Sequence, residues 1–77
     1  MTINKMKGKI IYIKSGTKSG KIIEETEKKQ FNFDFDSFCN IFQKIYIGMP
    51  VVFDVMELNG VLKAVNIVVE NTYWEDS

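Results

Sequence analysis

The chain has 77 residues, with ten Lys, ten acidic residues, no His and one Cys. This length suits one small domain, and the lack of His removes the commonest general base and metal ligand, so we expect no enzyme activity, cofactor or metal. A small chain without an internal disulfide suits a reducing compartment, and no apolar run is long enough to cross a membrane, so we expect a cytoplasmic protein with no membrane partner.

The first part of the chain predicts two strands joined by a turn. Residues 6–14 contain a run of Ile and Tyr, which favours a strand, and residues 1–4 before it are expected to fray. Residues 15–20 have the composition of a turn, and residues 21–23 predict a short second strand that pairs back on the first.

A third strand is predicted at residues 31–35, where Phe alternates with Asn32 and Asp34. Alternation with a period of two is typical of a half-buried strand, so Phe31 and Phe33 are expected in the core. Phe35 closes this strand, and the pattern leaves open whether its ring lies in the core or on an exposed binding surface.

A short helix is predicted over residues 36–45. Apolar residues recur there at helical spacing, at Phe38, Ile41, Phe42 and Ile45. We expect Phe38 and Phe42 to close one end of a barrel, and Cys39 to be a small buried apolar residue.

Two more strands are predicted, one beginning at residue 51 and one over residues 61–70. Asn59-Gly60 between them is the strongest hairpin signal in the chain. Along the last strand we expect Val65, Ile67 and Val69 to share one face, with the first two buried.

These elements predict an all-β fold, a five-stranded closed barrel of OB type with one short helix between strands three and four. An SH3-like barrel is the rival architecture. The barrel would occupy residues 1–70, followed by a C-terminal tail over residues 71–77 that carries Trp74.

The positive charge is concentrated at the start of the chain. Six Lys and no acid lie in residues 1–21, which gives +6; the remainder has four Lys against ten acids, which gives −6. This segregation can create a positive field for an acidic partner, or the lysines can protect an edge hairpin from aggregation. The absence of Arg argues against bidentate recognition of bases or phosphates.

Residues 6–69 resemble a cold-shock domain, a five-stranded OB-fold that binds single-stranded nucleic acid. The matching residues are Lys7-Gly8-Lys9-Ile10, Tyr12, Gly20 with Ile22, Phe35, Gly48, Val52-Phe53-Asp54-Val55 and Ala64-Val65-Asn66-Ile67. The match is better in strands one, four and five than in the middle of the chain.

The departures from the family fall in its two RNA-binding motifs. In the first, Lys-Gly-Phe-Gly-Phe, both aromatic positions are replaced, by Ser19 and Lys21. In the second, Val-Phe-Val-His-Phe, the outward Phe and His are replaced by Asn32 and Asp34. A Trp that stacks on bases in the family is Tyr12 here.

Two hypotheses about function follow. The resemblance implies weak, sequence-tolerant binding of single-stranded RNA or DNA, weakened because each stacked base contributes about 1–3 kcal/mol and most rings are lost. The alternative is a protein–protein interaction module that kept the barrel and lost nucleic-acid binding. The candidate nucleic-acid-binding residues are Lys9, Tyr12, Lys14, Lys18, Lys21, Asn32 and Phe35.

Overall fold

A computed structural model of the protein describes residues 2–39 and 44–70, residues 2–5 by their backbone alone. The strands are β1 (Thr2–Lys14), β2 (Ser19–Glu24), β3 (Gln30–Asp34), β4 (Pro50–Leu58) and β5 (Val61–Val69). They form a closed barrel in the order β1-β2-β3-β5-β4, and β4 pairs with β1 to complete the circle. The predicted all-β fold, a five-stranded closed barrel of OB type, is confirmed.

The core consists of the inward side chains of the strands and of the connection before β4. Its buried members are Ile10, Ile22, Phe31, Phe33, Phe38, Met49, Val51, Phe53, Val55, Ala64 and Ile67. The ring of Phe33 meets that of Phe38 edge-on, with centroids 5.7 Å apart, and Phe31 lies 5.9 Å from Phe53. The expected burial of the first two Phe residues of β3 and of Phe38 is therefore confirmed.

β1 is longer than predicted and takes part in two strand pairs. Thr2 and Ile3 pair with β4, so the expected fraying is wrong for these two residues. The register with β2 shifts between Ile10 and Tyr12, which marks a β-bulge. β1 pairs with β4 from Thr2 to Lys9 and with β2 from Gly8 to Lys14, and a bulge bends a strand and increases its twist.

Two glycines permit the close approach of β1 and β2. A Cβ at Gly20 would lie 2.3 Å from the carbonyl oxygen of Tyr12, and one at Gly8 would lie 2.3 Å from that of Ile23. No side chain fits at such distances, so these positions need glycine for the two strands to cross tightly.

The β4–β5 hairpin has the two-residue turn that Asn59-Gly60 predicts. Leu58 pairs with Val61, and the turn residues have φ of 54° and 79°. Positive φ at both central positions is what a type I′ turn requires.

The expected face of β5 is partly wrong. Ile67 is buried, but Val65 is only half-buried, and Ala64 takes the other inward position. The cause is a register shift in β5 near Asn66, whose φ is 51° and whose side-chain amide donates to Asp54 Oδ2 at 2.9 Å. An extra residue interrupts the alternation, so inward positions are three apart instead of two.

The connection between β3 and β4 departs from the predicted helix. Its described residues contain one 3₁₀ turn, Phe35–Ser37, and residues 44–46 have no regular secondary structure. Phe38 is extended and bridges to Ile67, whose carbonyl accepts the N–H of Cys39 at 3.0 Å. This pairing with β5 replaces helical hydrogen bonds.

Of the remaining expectations for this connection and the tail, one is wrong and the others concern residues outside the described part of the chain. Cys39 is exposed, not buried, because the bridge turns Phe38 inward and Cys39 outward. Ile41, Phe42 and Trp74 lie outside the described residues. In the part of the chain that is described, no helix is long and apolar enough to span a membrane.

Candidate nucleic-acid interface

A row of outward side chains crosses four strands of the barrel. Tyr12 on β1 lies opposite Lys21 on β2, which lies opposite Asn32 on β3, and Lys63 on β5 is the parallel partner of Asn32. Residues directly opposite one another share a face. At about 4.8 Å per strand spacing, this row is roughly 14 Å long.

The bulge in β1 places Tyr12 on this face. Ile10 is buried opposite Ile22, and strict alternation would turn Tyr12 inward as well. Because Ile11 is an extra residue in the ladder, the following residues change face: Tyr12 is 48% exposed and Ile13 packs against the core. The apolar run at residues 10–13 concealed this change from the sequence.

A second row lies next to the first, towards the turn between β1 and β2. Lys14 lies opposite Ser19, which lies opposite Asp34. Lys18 is in the turn, where its carbonyl oxygen accepts the N–H of Phe35 at 2.9 Å and so ties the turn to the end of β3.

All four predicted binding lysines are exposed. Within the described residues, none of them has a carboxylate within 4.0 Å: Lys9, Lys14, Lys18 and Lys21. Lys21 belongs to the first row, Lys14 to the second, and Lys18 to the adjoining turn; we call these three residues the cationic cluster. Lys9 lies five residues before Lys14 on β1, opposite Ile23 and Pro50, so the structure does not bring it into that cluster.

Asp34 is not an isolated negative charge. Lys63 Nζ donates to Asp34 Oδ2 at 2.5 Å, and the side chains are 36% and 49% exposed. The carboxylate of Asp34 is therefore paired with an ammonium group on this face. A water-exposed pair of this kind contributes about 0–1 kcal/mol to stability.

Sequence analysis missed Lys63 as a member of this face. It reaches β3 through the parallel contact between β3 and β5, which joins residues far apart in the chain. No local pattern reports such a contact, so only the three-dimensional pairing reveals it.

Phe35 lies at the rim of the barrel. Its ring stacks near that of Phe33, with centroids 6.2 Å apart and 18° between the planes, and it is half-buried against the core. One side of the ring therefore packs on the barrel, and the residue belongs partly to the core.

The outward positions beside these rings are polar. Asn32 is exposed, and the hydroxyl of half-buried Ser19 lies 2.7 Å from that of Thr17. Tyr12 is thus the one fully outward ring among the seven predicted binding residues.

A separate groove lies beside the middle of β1. It has a volume of about 260 Å³ and is lined by charges of both signs, including Lys7, which pairs with Glu70 at 3.3 Å. Lys9 lines this groove too. Its balanced charge makes it less suited to phosphate than the cationic cluster.

Glu24 fixes the wall of this groove. Its buried carboxylate accepts the backbone N–H of Glu27 at 2.6 Å and of Thr26 at 2.8 Å. These hydrogen bonds hold the pKa of Glu24 below its ordinary value, because they favour the ionised form.

The chain matches no protein-family model and no curated protein. Function is therefore inferred from the geometry of this face. Across the described part of the chain, no group of three or more Cys, Asp or Glu is arranged to hold a metal ion.

Proposed function

We propose that this barrel binds single-stranded RNA or DNA weakly and with little sequence preference, through the outer face of β1, β2 and β3. The observation that carries the proposal is an exposed ring beside exposed lysines. Tyr12 lies opposite Lys21, with Lys14 and Lys18 on the same side of the barrel. Stacking platforms combined with a cationic surface are how proteins bind single strands without reading sequence.

The expected weakness follows from the number of rings. One outward Tyr offers about 1–3 kcal/mol of stacking, so most of the affinity would come from lysines that contact phosphate. Ammonium groups act as point charges on phosphates, and such contacts carry no base information. The proposal therefore predicts similar affinity for different sequences and strong salt dependence.

The proposal includes the setting and the family. We place the protein in the cytoplasm, where an exposed single cysteine such as Cys39 stays a thiol. We also propose that the chain is a divergent cold-shock domain, supported by the glycine positions in the crossing of β1 and β2. Its role would be binding without catalysis.

A fluorescence titration with a short pyrimidine-rich single strand tests this function. We expect saturable binding at low salt that weakens as salt rises, and similar binding of a second sequence of equal length. A folded protein without detectable binding at low salt would contradict the proposal.

Ring restoration separates this function from its alternative. Ser19→Phe combined with Asn32→Phe places two more rings beside Tyr12, so oligonucleotide binding should tighten. In a protein-docking module, the same variant should leave oligonucleotide binding absent.

A protein-interaction role is the second candidate, and a different surface favours it. Around its turn, the β4–β5 hairpin exposes four apolar side chains by 39–59%, namely Met56, Leu58, Val61 and Leu62. Exposed apolar patches mark interaction sites in many proteins. Leu58→Ser with Val61→Ser should leave oligonucleotide binding unchanged under the first proposal, and should abolish partner binding under the second.

A further inference from the structure

The ion pair between Asp34 and Lys63 lies within the candidate interface. We infer that Asp34 keeps the ammonium group of Lys63 paired until a single strand binds, and that a phosphate of the bound strand then displaces Asp34. This competition for Lys63 limits the affinity for single strands. The inference rests on the proposed function and adds a residue on a fourth strand to its binding site.

The geometry places Lys63 between two partners. Its register partner on β3 is Asn32, in the row that contains Tyr12, but its ammonium group bonds to Asp34, two residues further along β3. Asp34 is itself opposite Ser19. The pair therefore lies at the β5 end of both rows. A single-stranded nucleic acid that contacts Tyr12 and continues across the rows would reach this pair.

The pair is suited to exchange. Both side chains are substantially exposed, so breaking the bond leaves each charge in water instead of buried without a partner. Lys carries its charge on a flexible stem, so the ammonium group can turn from a carboxylate to a phosphate without any backbone change.

Competition makes Asp34 a determinant of affinity. When phosphate takes Lys63, the released carboxylate stays on the same face and repels the bound strand. Removing the carboxylate eliminates both effects, since Lys63 is then free from the start and no negative charge remains beside the phosphate.

A double-mutant cycle tests the inference with the full chain and a short fluorescein-labelled oligothymidylate. The variants are Asp34→Asn, Lys63→Met and their combination. Asp36→Asn is the matched control, because it removes the same charge at an exposed position in the neighbouring 3₁₀ turn. Denaturant midpoints of all variants establish that each one is folded before binding is compared.

Asp34→Asn is expected to steepen the logarithmic salt slope by about 0.7, the value for one phosphate, which amounts to roughly fivefold tighter binding near 0.1 M salt. In the Lys63→Met background no ammonium group remains to be released, so Asp34→Asn should gain clearly less affinity than it does in the wild-type background and should leave the salt slope unchanged. An equal gain in both backgrounds would mean that Asp34 acts by general repulsion, and the inference would be wrong. Wild-type protein that is folded but does not bind would instead refute the proposed function together with this inference.

Discussion

The inward and outward faces of β2 and β3 have different roles in this protein. Inward from β2 and β3 lie Ile22, Phe31 and Phe33, which are buried and closely packed. Outward from the same strands lie Lys21 and Asn32, which contact water. Because side chains alternate along a strand, the outer face can change its chemistry while the inner face keeps the barrel. Fold and function are therefore encoded at interleaved positions, and each can be tested by its own substitutions.

The largest expected effect is a difference in the free energy of unfolding between two variants at neighbouring residues on opposite faces of β3. Phe33→Ala should lower the free energy of unfolding by about 3–5 kcal/mol, because it leaves a cavity among Phe35, Phe38 and the strands. Asn32→Ala, one position away and exposed, should change it by less than about 0.5 kcal/mol. Urea unfolding followed by circular dichroism measures both. Similar losses for the two variants would contradict the assignment of faces.

A second pair of variants tests the strand crossing. Gly20→Ala should destabilise the barrel by about 1–3 kcal/mol, since the new methyl group would meet the carbonyl of Tyr12 and the ring of Phe33, 2.8 Å away. Gly16→Ala is the control, because no atom lies within 4 Å of a Cβ there. If Gly20→Ala unfolds at the same urea concentration as Gly16→Ala, the close approach of β1 and β2 is wrong.

The outer face is tested by its ring. Tyr12→Ala should weaken oligonucleotide binding by about 1–3 kcal/mol, the contribution of one stacked base. Tyr46→Ala removes a ring of similar exposure, 49%, from the connection before β4 and should leave affinity unchanged. Equal losses in a fluorescence titration would show that Tyr12 has no special position on the binding face.

The pH dependence of stability tests the role of Glu24, the last residue of β2. Its folded-state pKa is lowered from 4.5 by the N–H groups of Glu27 and Thr26. The ionised carboxylate therefore stabilises the fold above the unfolded-state pKa, and this contribution is lost as the pH falls through the lowered folded-state pKa.

Glu24→Gln should reduce stability at neutral pH and flatten its decline in acid. Glu57→Gln, at an exposed position of β4, is the control and should retain the wild-type profile. Urea midpoints measured from pH 7 down to pH 3 give the comparison. A wild-type pH profile in Glu24→Gln would mean that the carboxylate does not hold the turn.

The sequence predicted the regular parts of this molecule well. Alternating Phe residues in β3 and the Asn59-Gly60 turn each have a local cause, so the barrel and its core rings could be inferred directly. The bulge at Ile11 could not, because a continuous apolar run hides the change of face there, and the bulge at Asn66 could not, because Val65, Ile67 and Val69 have the alternation of an unbroken strand. The helical spacing from Phe38 misled for a different reason: pairing with Ile67 determined the backbone at that position.

The candidate site was also predictable only in part. Tyr12, Lys21 and Asn32 were candidate binding residues because of the resemblance to cold-shock domains, and they do form one row across β1, β2 and β3. Lys63 was missed since its contact with Asp34 arises from the parallel pairing of β3 with β5. Long-range pairing of this kind leaves no period or motif in the sequence.

The salt dependence of oligonucleotide binding tests the central claim most directly, measured for wild type, Lys21→Gln and Lys28→Gln. Contacts from three to five lysines predict a logarithmic slope of roughly −2 to −4, at about 0.7 per phosphate. Lys21→Gln should reduce its magnitude by about 0.7, while Lys28→Gln, beside the charge-balanced groove, should retain the wild-type slope. A slope that is unaffected by Lys21→Gln, or folded protein that binds no single strand at low salt, would contradict the account.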